Sequence, residues 1–286
     1  MTEGYNALRN GAAWLDLRAR GRIIARGRDR ARFLHNVTSN EVKKMTAGAT
    51  SYAFLLTPQG RIQADLYLWC REEDFLIDTE PELREKVRQH ILKYKVADQV
   101  ELEDVTESTA AIGVEGPEAE AIQVGSRVPF TITGQPGFRI YCAADQFEEM
   151  VRQLEAAGAK AASMDDARVV RIENGKPRYG EDIRETSLVQ ETQQMHAVSF
   201  FKGCYLGQEI VERVRAQGHV NKKLVRLEIE GDDVVVPGTK LADVGEITSS
   251  VFSPGAGKVV ALAIVRTQHA EAGTVLDLNG RAARVM

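Results

Sequence analysis

The sequence predicts an α+β protein that ends in a small all-β domain. Apolar residues recur at helical spacing in several stretches and alternate in others, so both kinds of element are present. The two kinds interleave, but without the strict alternation of a doubly wound parallel sheet. Beyond about Asn221 the helical spacing stops, and short strand-like runs follow one another between Gly and Pro turns. At about 100–200 residues per domain, 286 residues suit two domains, expected here at 1–220 and 221–286.

The first clear element is a short helix over 29–36, which turns Phe33, Leu34 and Val37 inward and offers Asp29 as a cap. Residues 57–60, Thr-Pro-Gln-Gly, are turn chemistry, because Pro fixes one backbone angle and Gly supplies a permissive one. The next strand sets Ile62, Ala64, Leu66 and Leu68 on one face and Gln63, Asp65, Tyr67 and Trp69 on the other. That second face mixes polar and aromatic groups, as the wall of a ligand pocket does. Pro81 opens a helix carrying Leu83, Val87, Ile91 and Tyr94 at helical spacing. A short buried strand over 111–114 ends in a Glu-Gly-Pro turn. A helix over 145–157 buries Phe147, Val151 and Leu154 and stops at Gly158. Ser163 and Asp166 form a capping box for a helix ending near Asn174, with Gly175 left-handed behind it. In the tail, strands are expected at 224–229, 234–236, 245–250 and 258–265, closing into a barrel.

Composition narrows the function. Lys and Arg number 37 against 41 Asp and Glu, so the net charge of −4 offers no basic excess for binding phosphate backbones. Direct nucleic-acid binding is therefore not expected, and Arg213, Arg215, Lys222 and Lys223 read as a solvated surface. The longest apolar run, 259–265, is far short of the roughly 20 residues of a membrane helix. The first residues lack a signal-peptide pattern, and three scattered cysteines, Cys70, Cys142 and Cys204, build no disulfide framework. A cytoplasmic protein without membrane association is expected. Phosphate loops, HExxH and CxxC are missing, and the five histidines show no metal-ligand spacing.

Three stretches carry possible chemistry. In 201–209, Phe-Lys-Gly-Cys-Tyr-Leu-Gly-Gln-Glu, a helix is expected to start, since Leu206, Ile210 and Val214 repeat every fourth residue and Gly218 closes the run. Cys204 would then sit at or just before a helix amino terminus with Lys202 nearby, and both favour the thiolate. The alternative is a small buried hydrophobe, the usual state of a free cysteine. In 171–182, Glu173 falls in the last turn of its helix, where the dipole disfavours a carboxylate. Either it pairs with Arg171, Lys176 or Arg178, or it accepts two parallel hydrogen bonds from an amino-heterocycle. Third, Asp65 lies mid-strand, a disfavoured place that a solvated edge strand would explain.

Together these stretches resemble one family over nearly the whole chain: the YgfZ-type folate-binding proteins, relatives of the glycine-cleavage T-protein (aminomethyltransferase). Lys202-Gly203-Cys204-Tyr205-x-Gly207-Gln208-Glu209 is similar to the motif that marks the YgfZ branch. Arg171, Glu173, Gly175, Pro177, Tyr179, Gly180 and Asp182 match the segment shared by both branches, and Gln190-Glu191 resembles the pair lying between the motifs. Gly245-x-Ile247-Thr248-Ser249 with Ser253-Pro254 resembles the family's carboxy-terminal barrel.

The resemblance implies a three-part molecule around a central cavity for tetrahydrofolate or a derivative, with two intertwined α+β subdomains in 1–220. It implies Glu173 at the pterin edge, Asp65 near the nitrogen that receives the one-carbon unit, and Tyr179, Gln190, Tyr205 and Gln208 among the folate-binding positions. It also implies Cys204, supported by Lys202, as the thiol of a factor that assists iron–sulfur cluster assembly or repair, and through it tRNA modification. Its partners would be folate and iron–sulfur proteins or assembly factors. One departure bears on this: some bacterial YgfZ proteins lack the aspartate at the position of Asp65, which T-proteins keep. The other expected function is thus folate-dependent aminomethyl transfer or demethylation, with Asp65 at the reacting nitrogen and Cys204 dispensable.

Overall fold

The computed structural model describes residues 1–286. The chain begins with α1 (Glu3–Asn10), β1 (Ala13–Asp16), β2 (Gly21–Arg26), α2 (Arg30–Val37), β3 (Thr50–Leu56), β4 (Ile62–Cys70), β5 (Phe75–Thr79), α3 (Arg84–Lys93) and β6 (Glu101–Asp104). It continues with β7 (Thr109–Glu115), β8 (Gly137–Ala143), α4 (Phe147–Ala156), β9 (Lys160–Ala162), α5 (Met164–Glu173) and α6 (Gln208–Gln217). The tail holds β10 (Lys222–Ile229), β11 (Lys240–Leu241), β12 (Gly245–Ser253), β13 (Lys258–Arg266), β14 (Val275–Leu278) and β15 (Arg281–Val285).

Three sheets organise these elements. The first runs β3-β4-β5-β2-β6 and the second β8-β7-β1-β9. β1 precedes the whole first sheet yet pairs with β7 and β9, so the chain leaves the second sheet to build the first and then returns to it. The third sheet, β11-β12-β13-β10-β15-β14, rolls until its two edge strands touch without a hydrogen-bonded ladder, a barrel left slightly open. The run 234–236 departs from expectation. It forms no strand; Val235 is instead tied through its own N–H and C=O to the Ser250 hydroxyl. With both of its backbone groups answered by one side chain, that residue needs no ladder.

Helix α5 is the joint of the molecule. Its capping box is present: the Ser163 hydroxyl accepts from the Asp166 N–H, and Asp166 reaches back to the Ser163 N–H. Ala167 and Val170 pack against α1 and the second sheet, while Ile172 packs against Leu224, Val251, Val260 and Leu262 of the barrel. Asn174 ends the helix and Gly175 follows at φ 70°, where a side chain is strained. Elsewhere one cap differs from expectation. Asp29 makes no capping bond to α2, because its carboxylate accepts from the Gln99 N–H instead.

Under the junction of the first two sheets lies a buried ion cluster. Asp78 on β5 is fully buried; it accepts from Arg20 Nε at 2.6 Å, contacts Arg139 Nη1 at 2.8 Å and accepts from the Tyr141 hydroxyl at 2.9 Å. Arg139 and Tyr141 belong to β8, so one carboxylate ties the two sheets together. The two guanidiniums hold the Asp78 carboxyl below its ordinary range against the opposing pull of burial.

Candidate functional site

Asp65 is the residue on which the site is built. β4 is an interior strand of its sheet, and Asp65 is only 7% exposed, so the solvated-edge explanation fails. Tyr52 on β3 stands opposite Tyr67 and diagonal to Asp65, and its hydroxyl donates to Asp65 Oδ2 at 2.8 Å. Asp65 Oδ1 is buried and has no partner. Burial first, then the Glu80 carboxylate, pushes the Asp65 carboxyl up to about 6, against the Tyr52 hydrogen bond and Arg20. Glu80 itself moves down despite its burial, because Arg20 and Arg178 neutralise it. Of the two neighbouring carboxylates, Asp65 is the one without a paired cation, so it is the later of the two to ionise as pH rises.

These groups wall a cavity of about 210 Å³ between the first sheet, the loop containing Ile132, helix α5 and residues 176–181 and 194–196. That is below the roughly 300–1,000 Å³ usual for a complete ligand site, and suits the head of a longer molecule. One wall is aromatic: Tyr52 stacks on His196 with centroids 5.3 Å apart and leans on Tyr67 at 4.9 Å. Burial and Lys176 lower the His196 pKa, so near neutrality that wall carries no charge. Arg168, Arg171, Lys176 and Arg178 also line the cavity. No barrel residue lines the cavity, so it belongs to the body alone rather than to all three parts. A larger hollow, about 700 Å³, opens between body and barrel; its lining is mainly charged and polar and lacks an aromatic wall.

The other residues singled out in the sequence lie elsewhere. Glu173 does not line the cavity, and its carboxylate pairs with none of the neighbours expected for it. Its Oε1 accepts from the Tyr5 hydroxyl at 2.7 Å and from Ser253, and Arg9 Nε stands 3.6 Å from Oε2. The disfavoured carboxylate at a helix end is thus explained by a joint between α1, α5 and the barrel. Tyr179 is buried in the body core with its hydroxyl bonded to Lys86. Gln190 donates to the Val211 carbonyl and fastens its turn to α6. Tyr205 is buried with its hydroxyl unpartnered, and Gln208 is the first residue of α6.

Cys204 and Lys202 share a second depression, with Arg32, His35, Asn36, Glu41, Lys43 and Lys44. Cys204 is exposed, which removes the buried-hydrophobe reading. It also lacks the helix terminus expected for it: α6 begins four residues later behind Gly207, and its one fully buried residue is Val211. Gly207, at φ 82°, is held against the turn before β4, where an added Cβ would meet the Thr57 oxygen at 2.6 Å. Gly207 thus packs closely on the chain itself, whereas a Cβ added at Gly203 would meet nothing within 4 Å. Lys202 is buried, and its ammonium donates to the carbonyls of His35, Thr38 and Asn40, closing the carboxy end of α2.

Sequence reasoning missed Tyr52, Arg20, Glu80, Lys176 and His196 as cavity groups. Only the mixed face of β4 gave a local signal; the rest come from separate segments.

Two largely antiparallel sheets, a near-closed terminal barrel and a cavity built on a buried aspartate define a multidomain α+β protein. The comparisons give its kinship. Residues 1–128 match the GCVT N-terminal domain, and residues 222–285 match the glycine cleavage T-protein C-terminal barrel domain. An aminomethyltransferase of Thermus thermophilus is 28% identical over 311 residues, spanning 99% of this chain and 87% of that protein. One from Caldanaerobacter subterraneus is 26% identical over 308 residues, spanning 96% and 82%. The crystal structure of the glycine cleavage system aminomethyltransferase T from Bartonella henselae superposes with a TM-score of 0.88 at 17% identity, over 99% of this chain and 87% of that one. The chain belongs to the glycine-cleavage T-protein-like family. No helix is long and apolar enough to cross a membrane.

Proposed function

We propose that the protein binds tetrahydrofolate in the Asp65 cavity and takes part in one-carbon, aminomethyl-type transfer. The observation that carries this is the buried Asp65 carboxyl, whose Oδ1 lacks a partner beside an aromatic wall. Such a wall suits a flat heterocycle, and a free carboxylate oxygen suits one of its N–H groups. When bound, tetrahydrofolate supplies a nitrogen that accepts the one-carbon unit. Asp65, held near pKa 6, takes or releases a proton at Oδ1 near neutral pH, while Tyr52 keeps Oδ2 oriented. The aminomethyltransferase relatives favour this reading over the maturation factor.

The test is tetrahydrofolate binding by calorimetry, followed by conversion of the folate in the presence of an aminomethyl donor. Asp65→Asn is expected to keep binding and lower conversion by about 10²–10⁴-fold, the range for a lost proton-transfer group. Conversion at the native rate would reject the role of Asp65.

One observation favours a second reading, assistance to iron–sulfur cluster assembly or repair. Cys204 is exposed in a basic depression separate from the cavity, open to a partner's cluster or sulfur species. Cys204→Ser would then fail to complement a strain lacking its YgfZ protein, while folate binding stays intact. Full complementation would reject it.

A further inference from the structure

Five cations line the cavity, and four of them are already committed to carboxylates. Arg20 is paired with Asp78 and Glu80, Arg168 with Glu181, Arg171 with Glu181 and Asp182, and Arg178 with Glu80 and Glu82. Lys176 is the exception. No carboxylate lies within 4.0 Å of its ammonium, whose one hydrogen bond goes to the Thr131 carbonyl. A three-donor group with one donor engaged has two left to offer. The ammonium is half-buried, and it lies 5.9 Å from the Tyr67 ring centroid, beside the wall that Tyr52 and His196 complete. Its place is fixed by the chain, since it follows the left-handed Gly175 that ends α5. A partly desolvated cation facing a cavity, with its neighbours' charges spent elsewhere, is matched by an anion from outside the protein.

We propose that Lys176 is the residue that reads a carboxylate of the bound ligand, so that the cavity selects molecules with an N–H group for Asp65 and an anionic group for Lys176. This rests on the folate reading above and adds to it a determinant of ligand choice. A carboxylate has two sources in that chemistry: the glutamyl tail of the folate, or an amino-acid donor of the one-carbon unit.

The experiment compares tetrahydrofolate with tetrahydropteroate, which lacks the glutamate, on the full-length protein, Lys176→Met and Lys176→Arg. A second arm adds N-methylglycine or dimethylamine to the protein saturated with tetrahydropteroate. If the tail is the source, the native protein and Lys176→Arg prefer tetrahydrofolate by at least about tenfold, and Lys176→Met loses the preference. If the donor is the source, both pterins bind alike. N-methylglycine then binds where dimethylamine does not, and Lys176→Met abolishes that difference. A lysine that only braced the Thr131 loop would weaken all ligands together, and that outcome overturns the inference. So does an unchanged pattern in Lys176→Met. Either result leaves folate binding standing, whereas failure of the native protein to bind both pterins removes the folate reading and this inference with it.

Discussion

Replacing Asp65 by Asn should make the protein more stable as pH rises, relative to the native chain. Asp65 has an ordinary value of 3.8 and is raised to about 6 in the fold, by burial foremost and then by Glu80. Between those values the folded state binds more protons than the unfolded one, so native stability falls as pH increases. Asp65's contribution is fully present below 3.8 and lost as pH passes through about 6. At about 1.4 kcal/mol per pH unit, the full gap corresponds to about 3 kcal/mol, of which about 2–3 kcal/mol falls between pH 4 and pH 8. Asn does not titrate, so the difference in unfolding free energy between Asp65→Asn and the native protein should move by that amount in favour of the variant. Urea unfolding at five pH values across the window measures it, and the difference cancels the carboxylates that do not interact with Asp65. Parallel curves, with a difference constant to about 0.5 kcal/mol, would show that Asp65 titrates normally and refute its assignment as the later-ionising carboxyl.

The remaining expectations concern the joints and the thiol. Asp78→Asn leaves Arg139 buried without its counter-ion and Arg20 with Glu80 alone, and should cost about 3–5 kcal/mol in urea unfolding, with the two sheets loosened together. A loss under 1 kcal/mol would mean that the cluster is not what holds them. Glu173→Ala should cost about 1.5–3 kcal/mol of stability through the lost Tyr5 and Ser253 bonds, while tetrahydrofolate affinity is unchanged. Weakened binding without instability would return Glu173 to the site. Cys204 should react with an alkylating reagent in the native protein while Cys70, which is buried, reacts only after unfolding; peptide mass mapping decides the order.

Much of the fold was legible because the deciding forces are local. Residues 163–175 carry their own capping box and left-handed stop, and both are found. The β4 face announced its pocket because alternation fixes which side chains share a wall. The cavity as a whole was not legible. Tyr52, Glu80, Lys176 and His196 meet only after three segments have folded around β4, and no spacing in the sequence encodes that meeting. Glu173 illustrates the limit well: its unfavourable helix position correctly signalled a partner, but that partner, Tyr5, lies 168 residues away. Cys204 failed for a smaller reason. Two positive-φ glycines, Gly203 and Gly207, insert a turn before the helix that the apolar repeat seemed to begin at once.

The placement of β1 has a consequence for how the chain assembles. Ala13 stands opposite Glu115, about a hundred residues later, with the entire first sheet in between. Closing so long a loop is entropically costly and slow in an open chain, but a folded first sheet brings its two ends together and shortens the loop in effect. All five strands of the first sheet lie between Gly21 and Asp104, so its pairing needs no later strand, although Tyr179, Val189, Tyr205 and Val211 complete its core. During synthesis β1 is the first strand to emerge, and both of its partners, β7 and β9, follow the whole first sheet. Until β7 and β9 leave the ribosome it is an open edge, and a chain arrested near residue 104 would be prone to pair that edge with a neighbour.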